Sequence, residues 1–470
     1  MLYLFDVIKL FLLLLRMMVN GCLLYLMLWR ILLLILPATK LYYAQRYEKR
    51  FSYKLVSTLS SLGPAFIKIG QLLATREDII GKRIAHDLQN LYNNAKAVRW
   101  DGKKGMRNIL LSHFNGDINT IFHSVDQIPI ATASVAQVHR AQTCDGNQII
   151  LKILKPNIRA KFLRNIKLLC AIVRISNLFL RRSKKLKLID VLKFVEETSK
   201  FELNMLYEAS AMSHMRRIMD HDSGIYIPKV FWEYSSGDIL ATEWIDGYTI
   251  QQIYNDISVY RESFNIKDII TNIVEAFLEQ LFVHGFFHAD IHPGNIIIRK
   301  HDKAVVFIDF GMSQFISKRN KHILGQIIYF FVKKDYQRVA ELHFEGGYIS
   351  DKESVNTFAL MCHSIIEPLF SQSSLSKIRI SSLLKRLLLI AEQFNITMQT
   401  ELLMTQKNFI TIENIIRKLD SSINLWGIME EWFIKAKKNH PEMNKERFAY
   451  KVESIIAKKA KDIVQMIRDC

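Results

Sequence analysis

Hydrophobic positions along this chain recur mainly at helical spacing, so a mostly helical protein is the first expectation. The stretch from Lys318 to Cys470 reads as helical throughout. The Leu, Ile and Phe spacing of Ser381 to Phe394 suits helix packing, and the charged run from Lys435 to Cys470 reads as an amphipathic helix. Two stretches break the helical pattern. Gln148 to Pro156 is a short apolar strand with Lys152 and Lys155 in it, and Lys155, just before Pro156, reads as a solvated end residue. Phe286 to Gly311 reads as a loop, a strand at Ile296 to Ile298, a polar turn at Lys300 to Lys303, and a second strand at Val305 to Ile308.

The amino-terminal pattern differs from the rest. Residues 7–36 are dominated by apolar side chains, interrupted by Lys9, Arg16 and Arg30. The charge-free run from Met17 to Trp29 falls short of the roughly 20 residues that cross a bilayer. Val19 to Leu36 reaches that length only if Arg30 snorkels to an interface. Two readings stand: a single membrane anchor, or a hydrophobic helix that lies on the bilayer or docks on the protein. Lys40, Arg46, Lys49, Arg50 and Lys54 follow, and on the positive-inside rule they keep the downstream chain in the cytoplasm.

Composition narrows the choices. With 470 residues, half of them apolar, the chain has material for two or three domains and a large core. A net charge of +19 fits an anionic membrane surface, a nucleic acid or the phosphates of a nucleotide. No zinc-finger spacing or aromatic–basic signature of an RNA-binding sheet occurs, so nucleic acid is not expected. Five cysteines, without a CxxC, speak against a disulfide framework or a thiolate zinc site.

The chemistry concentrates in FFHADIHPGNIIIRKHDKAVVFIDFG. Asp290 and Asn295 lie five residues apart, as in the catalytic loop of protein kinases, and Asp309 follows Asp290 by nineteen, close to the kinase distance to the DFG aspartate. Magnesium takes oxygen ligands, which Asn295 and Asp309 supply. Asp290 then accepts a proton from an attacking hydroxyl or orients a water. Lys152 occupies the place of the lysine that grips the α- and β-phosphates of ATP. The glycine-rich phosphate loop that precedes such a lysine is missing, since no two glycines lie two positions apart. Ala131, Thr132, Ala133, Ser134, Val135 and Ala136 stand in its place, small enough for a backbone to approach phosphates.

Together these motifs resemble the UbiB/ABC1 family of atypical kinase-like proteins, of the bacterial type linked to ubiquinone biosynthesis. The family's KxGQ motif appears as Lys68-Ile69-Gly70-Gln71. Its ExD motif appears as Glu202-Leu203-Asn204, with Glu208 taking the place of the glutamate that pairs with the strand lysine. The match is good over residues 40–350 and faint over 360–470.

The resemblance implies an α+β, mostly helical, protein-kinase-like bilobal fold. It divides the chain into a hydrophobic membrane-associating segment (1–38), an N-terminal helical extension with KxGQ (39–120), an N-lobe with a helical insert (121–245), a C-lobe core (246–350) and a C-terminal helical region (351–470). It implies a gate formed by Lys68, Gln71 and Glu202 over the nucleotide. It implies ATP and Mg2+ as cofactors and an ATPase or small-molecule kinase supporting ubiquinone biosynthesis at the bacterial inner membrane. The alternative is a non-catalytic nucleotide- or lipid-binding chaperone of that pathway. Expected partners are ATP, anionic membrane lipid, polyprenyl quinone precursors and other proteins of the pathway. The cationic run Arg181 to Lys187 in the insert suits lipid or plain solvent equally.

Two departures stand out. Asn204 replaces the aspartate of ExD, and Thr132 replaces a usual alanine. A protein kinase is disfavoured because His288-Ala289-Asp290 lacks the arginine that couples kinases to activation-loop phosphorylation. A polyprenylphenol hydroxylase is disfavoured because neither GxGxxG nor Glu-x-x-His occurs. His284, His288 and His292 fall at four-residue intervals, but a loop must run through Ala289 to Asn295, so they do not form a helical metal stripe.

Overall fold

A computed structural model describes residues 97–102, 105–167, 203–219, 224–332, 335–348, 354–372, 379–384, 386 and 400–439, with isolated helical positions at 56, 59, 66, 67, 70, 87 and 88. The amino-terminal segment, Lys68, Gln71, the insert over 168–202 including Glu202, and the final thirty-one positions from 440 onward lie outside the described residues. The chain forms two compact units: residues 1–209 with 230–244, and residues 210–229 with 245–470.

The first unit is built on an antiparallel sheet. Its strands are β1 (Phe122–Val125), β2 (Ala131–Thr132), β3 (Ala136–Thr143), β4 (Gln148–Leu154) and β6 (Ile239–Glu243), in the order β1-β3-β4-β6 with β2 beside β3. β5 (Ile225–Tyr226) belongs to the second unit. Side chains of a strand alternate between faces. In β4 this sends Ile149, Leu151 and Ile153 into a core with Met106, Leu110, Phe122, Ile239 and Ala241. Lys152 therefore faces the other way. Each fully buried aliphatic side chain here stabilises the fold by about 1.5–3 kcal/mol. Helix α1 (Arg107–His113) closes that core through Leu110. A longer helix, α2 (Met205–Met219), carries Glu208 in its first turn.

The second unit is mostly helical. Helix α3 (Ile250–Asn255) begins with a capping box between Thr249 and Gln252, which satisfies two otherwise orphaned backbone donors. Helix α4 (Ile266–Glu279) is capped by Asn265 and buries Ile266, Ile269, Ile270, Ile273, Val274 and Phe277, the spacing of one helical face. It runs into a π-helical turn, Gln280–His284, which Gly285 ends at φ 66°, a left-handed conformation suited to glycine.

Two small sheets follow. β5, β10 (Val305–Phe307), β9 (Ile296–Arg299) and β7 (Gly247–Thr249) form one, in that order. β8 (Phe286–His288) and β11 (Ser313–Phe315) form the other. The β9–β10 turn is fastened by Arg299, which donates to Asp302 twice, at 2.9 and 2.6 Å. That guanidinium holds the Asp302 carboxyl down at about 2.

Helices α5 (Lys318–Val332), α6 (Tyr336–Glu345), α7 (Ser354–Gln372), α8 (Thr400–Leu419) and α9 (Leu425–Asn439) complete the second unit. α4 is the hub of this helical packing. Its Phe277 meets Phe409 of α8 edge-on at 5.1 Å, and Phe282, just beyond its end, meets Phe433 of α9 at 5.4 Å. Among the described residues, no helix is long and apolar enough to cross a membrane.

Candidate functional site

In the first unit the site is a lysine held by a glutamate. β4 pairs with β3 and β6 so that Lys152 lies opposite Val138 and Leu240, with neighbours on both sides fixing its direction. Its ammonium donates to both carboxylate oxygens of Glu208, at 2.8 and 2.9 Å. The Glu208 side chain is 2% exposed and that of Lys152 is 15% exposed. A buried carboxylate is tolerable only when paired and hydrogen-bonded, and Lys152 provides both.

The helix that presents Glu208 has its own supports. Asn204 Oδ1 accepts from Leu206 N at 3.2 Å, the work of an N-cap. Asparagine and aspartate cap helices about equally well, so the replacement in ExD preserves this duty while dropping a charge. Arg159 adds a clasp: its Nε donates to Leu203 O at 2.8 Å, and its other nitrogens reach Gly237 O and Asp238. Sequence reasoning missed Arg159, because nothing in its local pattern sets it apart from other surface arginines.

The alanine-rich loop is a tight hairpin. Ala131 and Thr132 pair with Val138 and Gln137, and Ala133 N donates to Ala136 O at 2.9 Å. Ser134 and Val135 form its tip. Lys155 grips this tip twice: its backbone N–H donates to Val135 O at 2.8 Å, and its ammonium to Ala133 O at 2.7 Å. The expectation that Lys155 is a solvated end residue is corrected here. It is half-buried, and burial lowers its ammonium to about 8. Beyond the loop, Gln137 and His139 are buried in the sheet, bonded to the backbone of Val98 and Asp126.

In the second unit the site is the loop between β8 and β9. Its backbone is pinned at several positions. Ala289 N donates to Met312 O at 2.8 Å, Asp290 N to His288 Nδ1 at 3.1 Å, Gly294 N to His292 Nδ1 at 3.1 Å, and Asn295 N to His292 O at 2.8 Å. Because His288 Nδ1 accepts, its proton sits on Nε2, which donates to Ile308 O at 3.0 Å. Full burial holds this imidazole below its ordinary range, hence neutral. His288 thus couples the loop of Asp290 to Ile308, the residue before Asp309. His284, His288 and His292 lie in a π-turn, a strand and a loop respectively.

The β9–β10 hairpin sets the residue before Asp309 against Asn295: Ile308 N donates to Asn295 O at 3.0 Å. The Asn295 amide nitrogen donates to Asp290 O at 3.2 Å, which assigns its Oδ1 to the acceptor role. Asp309 sits at φ 64°, a conformation that costs a non-glycine residue about 1–3 kcal/mol and clusters at working sites. Among the described residues, no group of three or more His, Cys, Asp or Glu side chains gathers to hold an ion. One carboxylate and one amide oxygen fit magnesium, which is commonly held by one or two protein oxygens with phosphates and water completing its shell. They do not fit a transition-metal centre.

Helix α8 closes the loop from below. Asn408 is fully buried, its Oδ1 accepting from Ile291 N at 3.2 Å and its Nδ2 donating to His288 O at 2.6 Å. Beside it, the Lys407 ammonium forms an ion pair with Asp290. The sequence analysis reads this region only as helical and names no residue of α8. One signal was available: Thr405, Asn408, Ile412, Ile415 and Leu419 recur at helical spacing, and an asparagine on that buried stripe needs partners.

Comparison with known proteins bears on family and fold. Residues 91–343 match the ABC1 atypical kinase-like domain, and residues 362–424 match the UbiB helical domain, where the motif resemblance was faint. A probable protein kinase UbiB from Azotobacter vinelandii is 29% identical over 398 residues, spanning 83% of this chain and 73% of the relative. The one from Aeromonas hydrophila subsp. hydrophila is 32% identical over 380 residues, 79% and 68% respectively. The fold is shared by Rv3197 of Mycobacterium tuberculosis, solved in complex with erythromycin. The two align with a TM-score of 0.52 at 21% identity, over 84% of this chain and 98% of that one. A strand lysine paired to a helix glutamate and a loop of HADIHPGN followed by DFG are thus set in a kinase-like fold, and the chain belongs to the ABC1 atypical kinase-like family.

Proposed function

We propose that this chain binds Mg-ATP and turns it over, as an ATPase or a kinase of small molecules, in support of ubiquinone biosynthesis at a bacterial membrane. The observation that carries the nucleotide assignment is the two-oxygen contact of Glu208 with Lys152, which holds a cation ready for phosphate on a rigid strand. Lys152 would grip the α- and β-phosphates, and the hairpin over Ala131–Ala136 would approach them with its backbone. Asn295 and Asp309 would hold magnesium, which would supply positive charge against that of the phosphates. Asp290 would take the proton from a water or hydroxyl as that oxygen bonds to the γ-phosphorus. The bond from this phosphorus to the bridging oxygen breaks, and its electron pair leaves on ADP.

The gate role of Lys68, Gln71 and Glu202, the pathway and the membrane rest on the family resemblance. The apolar segment before residue 39 and the cationic run at Arg181 to Lys187 support a lipid-facing position. The test is titration of the full-length protein with ATP, with and without magnesium, followed by phosphate release in the presence of anionic vesicles. We expect magnesium-dependent binding that Asp309→Asn weakens at least about tenfold, the effect of losing a charged metal ligand. Absence of adenine nucleotide binding in magnesium would overturn the assignment. Equal phosphate release from wild type and Asp309→Asn would leave a binding role alone. Unchanged ubiquinone after deletion of the encoding gene would remove the pathway.

A further inference from the structure

The C-terminal helix α8 makes two contacts with the catalytic loop that the proposed chemistry does not use. Asn408 fixes the backbone on either side of Asp290, through His288 O and Ile291 N. Lys407, the preceding residue, pairs with the Asp290 carboxylate itself, across 117 positions of sequence. Neither partner of this ion pair is buried: the side chains are 27% and 29% exposed. An ion pair at such exposure adds little to stability, a median of about 0–1 kcal/mol. Its placement on the one carboxylate assigned to move a proton therefore asks for another account.

The groups around it sharpen the point. Lys407 faces Asp290 together with His288 and His292, and Lys418 lies further along α8 on the His292 side. Both histidines are held below their ordinary range by burial, so they are neutral neighbours. Lys407 is then a cation placed to set the direction of the Asp290 carboxylate. Protein kinases tie their catalytic loop to an activation segment through the arginine of HRD, and this chain has Ala289 there.

We infer that Lys407 is a positioning residue for Asp290, so that α8, rather than a phosphorylated activation segment, keeps the catalytic loop set for reaction. The inference rests on the reading of Asp290 as the proton acceptor in Mg-ATP turnover. It assigns the helical region after the kinase-like domain a standing role in the chemistry.

Steady-state phosphate release by the full-length protein tests it. Lys407→Met should lower kcat on the order of 10–100-fold, the usual consequence of a misplaced reacting group. The KM for ATP should stay within about threefold and the melting temperature within a few degrees, because the pair is partly exposed and does not touch the nucleotide's grip. Lys407→Arg should recover most of the rate. In an Asp290→Asn background, Lys407→Met should cause no further loss, since residues acting as a unit are not additive.

Four results would overturn the inference. They are an unchanged kcat in Lys407→Met, a loss fully additive with Asp290→Asn, equal loss in Met and Arg variants alongside a large fall in melting temperature, and a wild-type protein that binds Mg-ATP without releasing phosphate. Failure of the wild-type protein to bind Mg-ATP at all would strike the functional reading itself, and the inference with it.

Discussion

Each unit holds one charged group of the site against an opposite charge, yet the two pairs differ in kind. Lys152 and Glu208 meet in a nearly closed environment, with two hydrogen bonds and a carboxylate only 2% exposed. Asp290 and Lys407 meet where both side chains remain more than a quarter exposed. The same chemistry therefore has opposite consequences. In a dry setting, each ion depends on the other for its solvation, and the pair is a structural necessity once formed. In a wet setting, water can replace either partner, and the pair matters through direction rather than through free energy. Breaking the first should show in stability, and breaking the second in rate.

The largest effect follows from the dry pair. Lys152→Met takes the cation from the buried Glu208 carboxylate and should cost about 3–5 kcal/mol. Replacing both, as Lys152→Met with Glu208→Leu, should return most of that loss, because no buried charge then remains. Urea denaturation of the three proteins measures both values. Recovery in the double variant is the informative result: a fold loss without it would mean that packing, and not charge, dominates this site.

Next in size is the support beneath the wet pair. Asn408→Ala leaves Ile291 N and His288 O buried without their partners, and each unsatisfied group costs about 1–3 kcal/mol. Melts of this variant beside Lys407→Met should separate the two neighbours on α8, with the first clearly destabilised and the second hardly changed. Equal melts would dissolve the distinction between backbone anchor and charge orientation.

The contrast also governs what was legible in the sequence. Lys152, Asp290, Asn295 and Asp309 stand out as candidates in the sequence because the chemistry proposed for them demands given residue types at given separations, and those separations are short. Glu208 came only with the family resemblance, since fifty-six positions separate it from Lys152. Arg159, Lys155, Lys407 and Asn408 act by reaching across the fold to backbone atoms or to a distant carboxylate. Such contacts leave no local periodicity. Lys155 was misread for this reason: a lysine before proline at a strand end looks solvated until the hairpin of Ala133 folds over it. Asn408 left a faint trace as a polar residue on a buried helical stripe.

A smaller effect concerns protons, and again each unit offers one group. His139 in the first and His288 in the second are fully buried, and burial lowers both below the unfolded value of 6.5. A depressed folded pKa means that the unfolded chain binds the proton more readily. The stability contributed by the neutral imidazoles is therefore present above about pH 6.5 and lost as the pH falls from there through the lower folded values. The slope is at most about 1.4 kcal/mol per pH unit for each histidine. Denaturation at pH 7.5 and 5.5 should show the loss, and His139→Gln should make it shallower. A pH-independent stability over that range would mean that neither imidazole is held neutral.

The smallest effect on stability sits at Asp309, the carboxylate proposed to hold magnesium. Asp309 holds φ at 64°, where a side chain beyond glycine is strained. A glycine adopts that conformation freely, so Asp309→Gly should stabilise the fold by about 1 kcal/mol while removing the carboxylate proposed for magnesium. Asp309→Ala should lose the carboxylate without the gain, because its Cβ meets the same strain. A protein that keeps a strained aspartate where glycine is easier holds it for what the carboxylate does, and this pair of variants separates that from a structural need. If Asp309→Gly proves less stable than wild type by more than about 1 kcal/mol, the aspartate's own contacts outweigh its strain. The residue would then belong with the dry, structural pair of the first unit and not with the wet, working groups of the second.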